Sequence, residues 1–494
     1  MNRFSKYLNF LILLIFAATV FFRGVVIIDP DLGWHLREGQ LILQSGIPAT
    51  DPFSYTMSSY AFIDHEWMQN VIMYSVFNSF GMFGLAFFYA VIFAGIFFVI
   101  STNKFNNFTP IPLLLTGLIM LDFTGVRTQE VTWLFLAILL RIILDKNAWS
   151  KFKYFVPLIF LPWVNLHGGF AVGIVILLLY FVLNSIKNKK ISFDNLIIFI
   201  LSLLATFINP YGTRIWHEIW MQITDNNLHI YIKEWFPIFF DFDLALGIML
   251  SLSLFSIYIY RKKLNLVTLG IFAFLLLMAI SSTRHVMLWV ISAVLLVSET
   301  LYLFFKEVRK NKDSLARLKM ARNFVVIFLL IFSVFKFYNV LTTSDNRNSY
   351  PQNAVFYLKS QKINGNIFTT YDFGGYLIWK LPKEKVFIDG RMPSWRRSGY
   401  FPNESNYAFT DYLKMLSNDK FFISQIKKYH ISYLLLPRYT IITKNTVIDK
   451  INNFFEKFIY KDIDYHVLSE DLTKKGMTRV YGDGQFIIYK TNLF

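Results

Sequence analysis

The sequence predicts an α-helical polytopic membrane protein of about eleven transmembrane helices, followed by an extracytoplasmic α/β domain. Three observations carry that prediction. Hydrophobic residues make up 55% of the 494, with a mean hydropathy of +0.44. They gather in runs near the length that crosses a hydrocarbon core as helix. Lysine and arginine recur in alternate loops between those runs, the bias that orients membrane helices. Beyond residue 341 the apolar runs become short and β-rich, which marks a different kind of material.

The spans are read at 8–27, 81–101, 109–123, 129–144, 154–166, 168–186, 192–208, 243–260, 264–281, 285–305 and 323–341. The first follows a short basic start with no small-residue cleavage site after it, so it is read as permanent rather than as a signal peptide. Arg3 and Lys6 lie on the side of Lys104, of Lys146, Lys151 and Lys153, of Lys187, Lys189 and Lys190, and of Arg261 to Lys263. The basic segment 306–322 joins them, and this side is cytoplasmic. The opposite loops hold few such residues: Arg37, Arg127, Arg214, Lys233 and Arg284. An odd number of spans then leaves the N-terminus inside and residues 342–494 outside. The predicted domains are 1–341, with a long first outer loop at 28–80, and 342–494. In the second, NIFTTYDF, GYLIWKL, KVFID, ISYLLLP and QFIIYK read as strands, and QNAVFYLKSQK and FFISQIKKYH as helices.

The net charge of +17 divides between cytoplasmic anchors and the tail, so it reports topology and excludes nucleic acid as the partner. The chain has no cysteine, which excludes disulfides and thiolate metal sites. No GxGxxG or P-loop motif is present, so nucleotide-powered chemistry has no support. The spans are nearly free of ionised residues, which argues against ion-coupled transport.

The candidate chemistry lies on the outer side. His35, His65, His167, His217, His229 and His285 all fall in or beside outer loops. The first outer loop carries Asp29, Asp31, His35, Asp51, Asp64, His65 and Glu66 against one basic residue, Arg37. Leu32, Trp34, Leu36, Leu41 and Leu43 predict an amphipathic helix at the interface, and a second begins at His65. Asp31 and Asp64 can simply cap those helices, and Asp51-Pro52 reads as a turn. Asp29 and Asp31, two residues apart, also suit a general base toward an acceptor hydroxyl, or a divalent cation held through oxygen. His35 lies one turn after Asp31, and His65 with Glu66 forms a second acid–imidazole pair. Further candidate binding residues are Arg127 and Gln129 in GVRTQE, Asn165 and His167 in PWVNLHGGF, and Tyr211 in NPYG. Glu234 in KEW and Arg284 and His285 in SSTRHV complete the set. Arg127, Arg284 and His167 suit a phosphate or pyrophosphate. In the tail, Gly374-Gly375 and Asp389-Gly390 read as turns beside strands, with Asp372, Asp389 and Arg391 as weaker candidates.

The motifs DPDLGWHLREGQ, DPFSYT, DHEW, NLHGGF, NPYG and YDFGGYLIW…VFIDGR resemble a group of bacterial membrane proteins that look like GT-C-type glycosyltransferases. The resemblance implies a GT-C-like membrane domain, with two interface helices and an early catalytic aspartate in the first outer loop. Asp31 takes that place, with Asp29 as alternative. It further implies a sugar donor carried on a polyprenyl phosphate or pyrophosphate, and an outer domain that helps to bind acceptor. The chain departs from the Asp-Glu pair of many such transferases by having Asp-Pro-Asp.

The function expected is glycosyl transfer from a polyprenyl-phosphate-linked sugar to an envelope glycan, lipid or protein, on the outer face of a bacterial inner membrane. Membrane lipids are the surrounding partner. A transporter or flippase of a lipid-linked saccharide, and a non-catalytic envelope-assembly protein, are the rival readings.

Overall fold

The computed structural model describes residues 3–101, 109–238, 243–308, 310, 312–342, 349–361, 363, 365–438 and 465–493. In chain order the helices are α1 (Arg3–Val26), α2 (Leu32–Ser45), α3 (Trp67–Ser101), α4 (Pro110–Phe123), α5 (Gln129–Leu144), α6 (Lys146–Phe152) and α7 (Val156–Leu166). They continue with α8 (Phe170–Asn188), α9 (Phe193–Ala205), α10 (Arg214–Ile223), α11 (Asn226–Tyr231), α12 (Leu244–Tyr260), α13 (Leu266–Ser281), α14 (Val286–Val308) and α15 (Lys312–Thr342). The tail holds α16 (Gln352–Ser360), α17 (Tyr371–Lys380), α18 (Ala408–Ser417) and α19 (Asp419–Lys428), with β1 (Asn366–Thr369), β2 (Ile431–Pro437), β3 (Met477–Gly482) and β4 (Phe486–Thr491).

Each apolar run read from the sequence as a span falls on a helix. Among the described residues, five helices are long and apolar enough to cross a membrane: Tyr7–Val26, Trp67–Ser101, Phe170–Asn188, Thr283–Val308 and Lys312–Thr342. Shorter apolar helices are Pro110–Phe123, Phe193–Ala205, Leu244–Tyr260 and Leu266–Ser281. This is the pattern of a membrane protein. α3 is broken at Gly81, where φ is 62° and ψ −158°, a conformation that only glycine adopts without strain. The break falls at the predicted start of the second span.

By internal contacts the chain divides into two compact units. The first comprises residues 1–27, 79–216 and 234–344, and the second 28–78, 217–233 and 345–494. In the first, α14 is the central helix: most of its residues are buried, whereas most of those of α15 are not. It packs on α4, α5, α12 and α13, while α15 lies along α1 and α4. A helix apolar on all sides is stable only with such neighbours or in lipid.

The second unit is built on a four-stranded sheet of order β1-β2-β4-β3, with β1 and β2 parallel and the other pairs antiparallel. Its core contains Phe368, Phe387, Trp395, Tyr412 and Phe422, together with Met57 and Phe62 from the first long loop. Burying each such side chain contributes roughly 1.5–3 kcal/mol. The loop is stitched in by its backbone as well: Val386 N donates to Phe53 O at 3.0 Å, and Thr56 Oγ1 to Phe387 O at 2.7 Å. The sheet accounts for three of the predicted strand runs. GYLIWKL is instead part of α17, and Val386 of KVFID makes only isolated bridges, to Ser54 and Ile367. The reason is tertiary. Gly375 lets α17 lie directly on α2, where a Cβ on Gly33 would come within 2.1 Å of Gly375 O. That contact outweighs the β propensity of Tyr376, Ile378 and Trp379. The apolar residues Leu32, Trp34 and Leu36 of α2 are therefore buried in this unit, and Leu43 remains exposed.

Candidate active site

Asp29-Pro30-Asp31 leads into α2. Asp29 Oδ1 accepts the backbone N–H of Asp31 at 3.0 Å. Asp31 stands at the N-cap position but makes no side-chain cap bond. Its Oδ1 accepts instead from Trp34 Nε1 at 2.9 Å, so the indole one turn along fixes the carboxylate. The Asp389-Gly390-Arg391 turn lies over it: a Cβ on Gly390 would sit 1.8 Å from Asp31 Oδ1. Both aspartates are only partly buried, so they are oriented yet accessible. Tyr350 adds a wall, donating its hydroxyl to Ile28 O at 3.2 Å. Burial, then the charges of Asp29, Asp31 and Asp372, push its phenol above the usual range.

Beside this pair lies a buried ionic network. Arg391 Nη2 donates to Asp51 Oδ1 and to Asp389 Oδ2, and Nε to Asp389 Oδ1, each at 2.8 Å. The three side chains are at most 2% exposed. The rings of Phe53, Phe62, Trp395 and Trp34 surround the guanidinium at 4.8–5.9 Å. The two carboxylates hold its charge in place despite burial. Asp51 also accepts Phe53 N and Ser54 N, the turn read from the sequence.

His35 and Glu66, expected to bind substrate, are buried together. Asn70 Nδ2 donates to Asp64 Oδ2 at 2.8 Å, which leaves Asn70 Oδ1 to accept from His35 Nδ1 at 2.6 Å. His35 Nε2 then faces Glu66 Oε2 at 3.8 Å, and His65 Nε2 stands 3.7 Å from Glu66 Oε1. Burial lowers the His35 pKa to about 4, so the ring is neutral. Glu38, not singled out from the sequence, is fully buried with neither carboxyl oxygen hydrogen-bonded among the described residues. Burial, then the neighbouring Asp64 charge, push its carboxyl upward, and burial does the same to Asp64. The available signal was an acid amid the apolar residues of α2.

The first unit collects a separate group. Arg127 pairs with Glu234 at 3.1 Å. Arg284 lies 5.3 Å over the Trp235 ring, and His285 meets the same ring edge-on. The two turns are joined by Thr283 N and Oγ1, both donating to Phe236 O at 2.7 Å. Gln129 opens α5 and is partly buried. His167 is buried and locked: Gly169 N donates to its Nδ1 at 2.9 Å, and Thr132 Oγ1 lies at the same distance. Asn165 Nδ2 donates to Leu161 O and Ile208 O. Tyr211 N donates to Asn209 Oδ1, shaping the NPYG turn. Arg127, Glu234, Arg284 and His285 are thus brought together, while Asn165 ties its helix to Ile208, His167 is held against Thr132 of α5, and Tyr211 lies in the NPYG turn. Among the described residues no group of three or more His, Cys, Asp or Glu is arranged to hold a metal ion.

No protein-family model matches the chain, and no curated protein matches it in sequence. Solved structures do. The archaeal oligosaccharyltransferase AglB from Archaeoglobus fulgidus, in complex with an inhibitory peptide and a dolichol-phosphate, superposes with a TM-score of 0.54 at 11% identity. The match covers 88% of this chain and 70% of that one. The Archaeoglobus fulgidus oligosaccharyltransferase in its apo form gives 0.53 at 12% identity, with the same coverage. At such identities the likeness is one of fold. The chain resembles these oligosaccharyltransferases in the fold of most of its length.

Proposed function

We propose that the protein transfers a sugar from a polyprenyl-phosphate-linked donor to an envelope glycan, lipid or protein acceptor, on the outer face of a bacterial inner membrane. The observation that carries this reading is the Asp29/Asp31 pair, oriented by Trp34 and the Gly390 turn and left partly open, in a chain of GT-C-like fold. The dolichol-phosphate and peptide bound by AglB support a lipid-linked donor and a protein among the acceptor classes.

Asp31 is the proposed base, with Asp29 holding its backbone. It takes the proton of the acceptor hydroxyl as that oxygen attacks the anomeric carbon. The bond from the anomeric carbon to the phosphate oxygen breaks, and polyprenyl phosphate leaves with the electron pair. Inversion follows from a single displacement. In the membrane unit, Arg127, Arg284 and His167 are proposed to bind phosphate. A divalent cation, were one used, would be held by Asp29 and Asp31 and would supply positive charge toward the leaving phosphate.

The test compares envelope glycans and lipids by mass spectrometry in wild type, a deletion strain, and Asp29→Asn/Asp31→Asn at normal protein level. A species one sugar lighter in both altered strains supports transfer and weighs the sugar. Wild-type glycans in the double mutant, with a defect only in the deletion, would discard catalysis at these residues.

A further inference from the structure

A cavity of about 200 Å³ opens on the second unit, lined by Leu36, Arg37, Gln40, Tyr74, Phe77, Asn78 and Trp379. Its walls follow from helical spacing. Leu36, Arg37 and Gln40 share one face of α2, and Tyr74, Phe77 and Asn78 share one face of α3. Trp379 closes it from α17, its ring edge-on to Phe77 at 5.6 Å.

The polar lining is a set of donors. Arg37 is the one basic residue of the first long loop, and it has no carboxylate partner among the described residues. Its Nη1 donates to Gln40 Oε1 at 2.6 Å, which leaves the Gln40 amide N–H₂ to donate. Arg37 Nε is buried with no acceptor among the described residues, an arrangement that is unfavourable unless a ligand supplies one. The Asn78 amide and the Tyr74 hydroxyl add further donors, and no Asp or Glu lines the space. A second positive charge stands close by, since Lys380 Nζ lies 3.2 Å over the Trp379 ring. One guanidinium, two amides and a phenol suit an anion with more than two acceptor oxygens. The Leu36, Phe77 and Trp379 wall suits a ligand that continues into an apolar body. The volume is below the roughly 300 Å³ at which drug-sized sites begin, so it holds a headgroup while the rest stays outside.

The geometry points to a second anion site, separate from Asp29 and Asp31, in which Arg37 binds the phosphate ester of a lipid headgroup or a soluble phosphate. It stands independently of the transferase reading.

The test measures binding to the full chain in a phosphate-free maltoside detergent. The probes are phosphatidylglycerol, a polyprenyl phosphate and inorganic phosphate, each against wild type, Arg37→Gln, Arg37→Lys and Asn78→Asp. Wild type should bind at least one probe. Arg37→Gln should weaken it about tenfold or more, as expected for a lost charge-assisted hydrogen bond, with Arg37→Lys between the two. Asn78→Asp should weaken the same probe by setting a negative charge in the wall. Asn78 is exposed, so this variant keeps the test alive if Arg37→Gln misfolds. Binding of the lipids alone identifies a headgroup, and binding or competition by inorganic phosphate identifies the free ion. No binding by wild type, or equal binding by wild type, Arg37→Gln and Asn78→Asp, overturns the assignment.

Discussion

Arg391 is where a single substitution should damage the second unit most. Its guanidinium makes three 2.8 Å bonds to Asp51 and Asp389, all at most 2% exposed. Arg391→Met keeps most of the volume but strands two carboxylates in an apolar cage. Breaking a buried pair this way costs about 3–5 kcal/mol. For a domain of 150–250 residues each kcal/mol moves Tm by about 2–4 °C, so the unit should melt roughly 6–20 °C lower. Intrinsic tryptophan fluorescence follows the transition, because Trp34 and Trp395 line the cage. The triple variant Arg391→Met/Asp51→Asn/Asp389→Asn removes the stranded charges and should recover much of the loss. A Tm within about 2 °C of wild type for Arg391→Met, or a triple variant no better than the single one, would refute the reasoning.

The other predictions concern the pair next to this network and the titrating groups near it. Asp31→Asn should lower transfer by about 10²–10⁴-fold in a lipid-linked sugar assay and Asp29→Asn by less; the reverse order would exchange their roles. Gly390→Ala drives a methyl into the Asp31 carboxylate, so turnover should fall while Tm changes little, and unchanged turnover would separate the turn from the site. The Glu38 carboxyl is raised by burial, so the unfolded chain ionises first and stability is lost as pH rises from the ordinary carboxylate range through the raised value. Glu38→Gln should therefore flatten the alkaline side of a Tm-against-pH curve, and identical curves would show that the group does not titrate as described. His35, lowered to about 4, carries stability that is full above pH 6.5 and lost as pH falls toward 4. His35→Asn should remove that acid-side loss in the same assay, and an unaltered acid limb would exclude it.

The helices were legible because lipid imposes a length and a composition that periodicity does not have to decode. The second span was read as starting at 81, apart from a helix beginning at His65, and the break at Gly81 falls where one gives way to the other. What could not be read was the partner of the first long loop. Asp51 looked like a turn residue, and it is one, but its second role depends on Arg391, 340 residues later. GYLIWKL was read as a strand because its local preference is β, and only α2 lying across Gly375 makes it helical. In the site, the Asp29/Asp31 spacing was visible. The covering turn was not, since Asp389-Gly390 carries the same letters whether it closes a hairpin or roofs a carboxylate.

The second unit is assembled from three stretches of chain, 28–78, 217–233 and 345–494, and that imposes an order on its birth. Met57 and Phe62 leave the ribosome early, yet the core that shelters them includes Phe387 and Trp395. At about 5–20 residues per second the interval is on the order of tens of seconds. Throughout it Met57 and Phe62 lack the core partners that bury them in the finished unit. The acids of the first long loop, which later strain the folded interior, keep the waiting segment soluble. A chain halted before residue 391 would leave that loop without the cation that neutralises Asp51, so this unit can form only after Arg391 has been made.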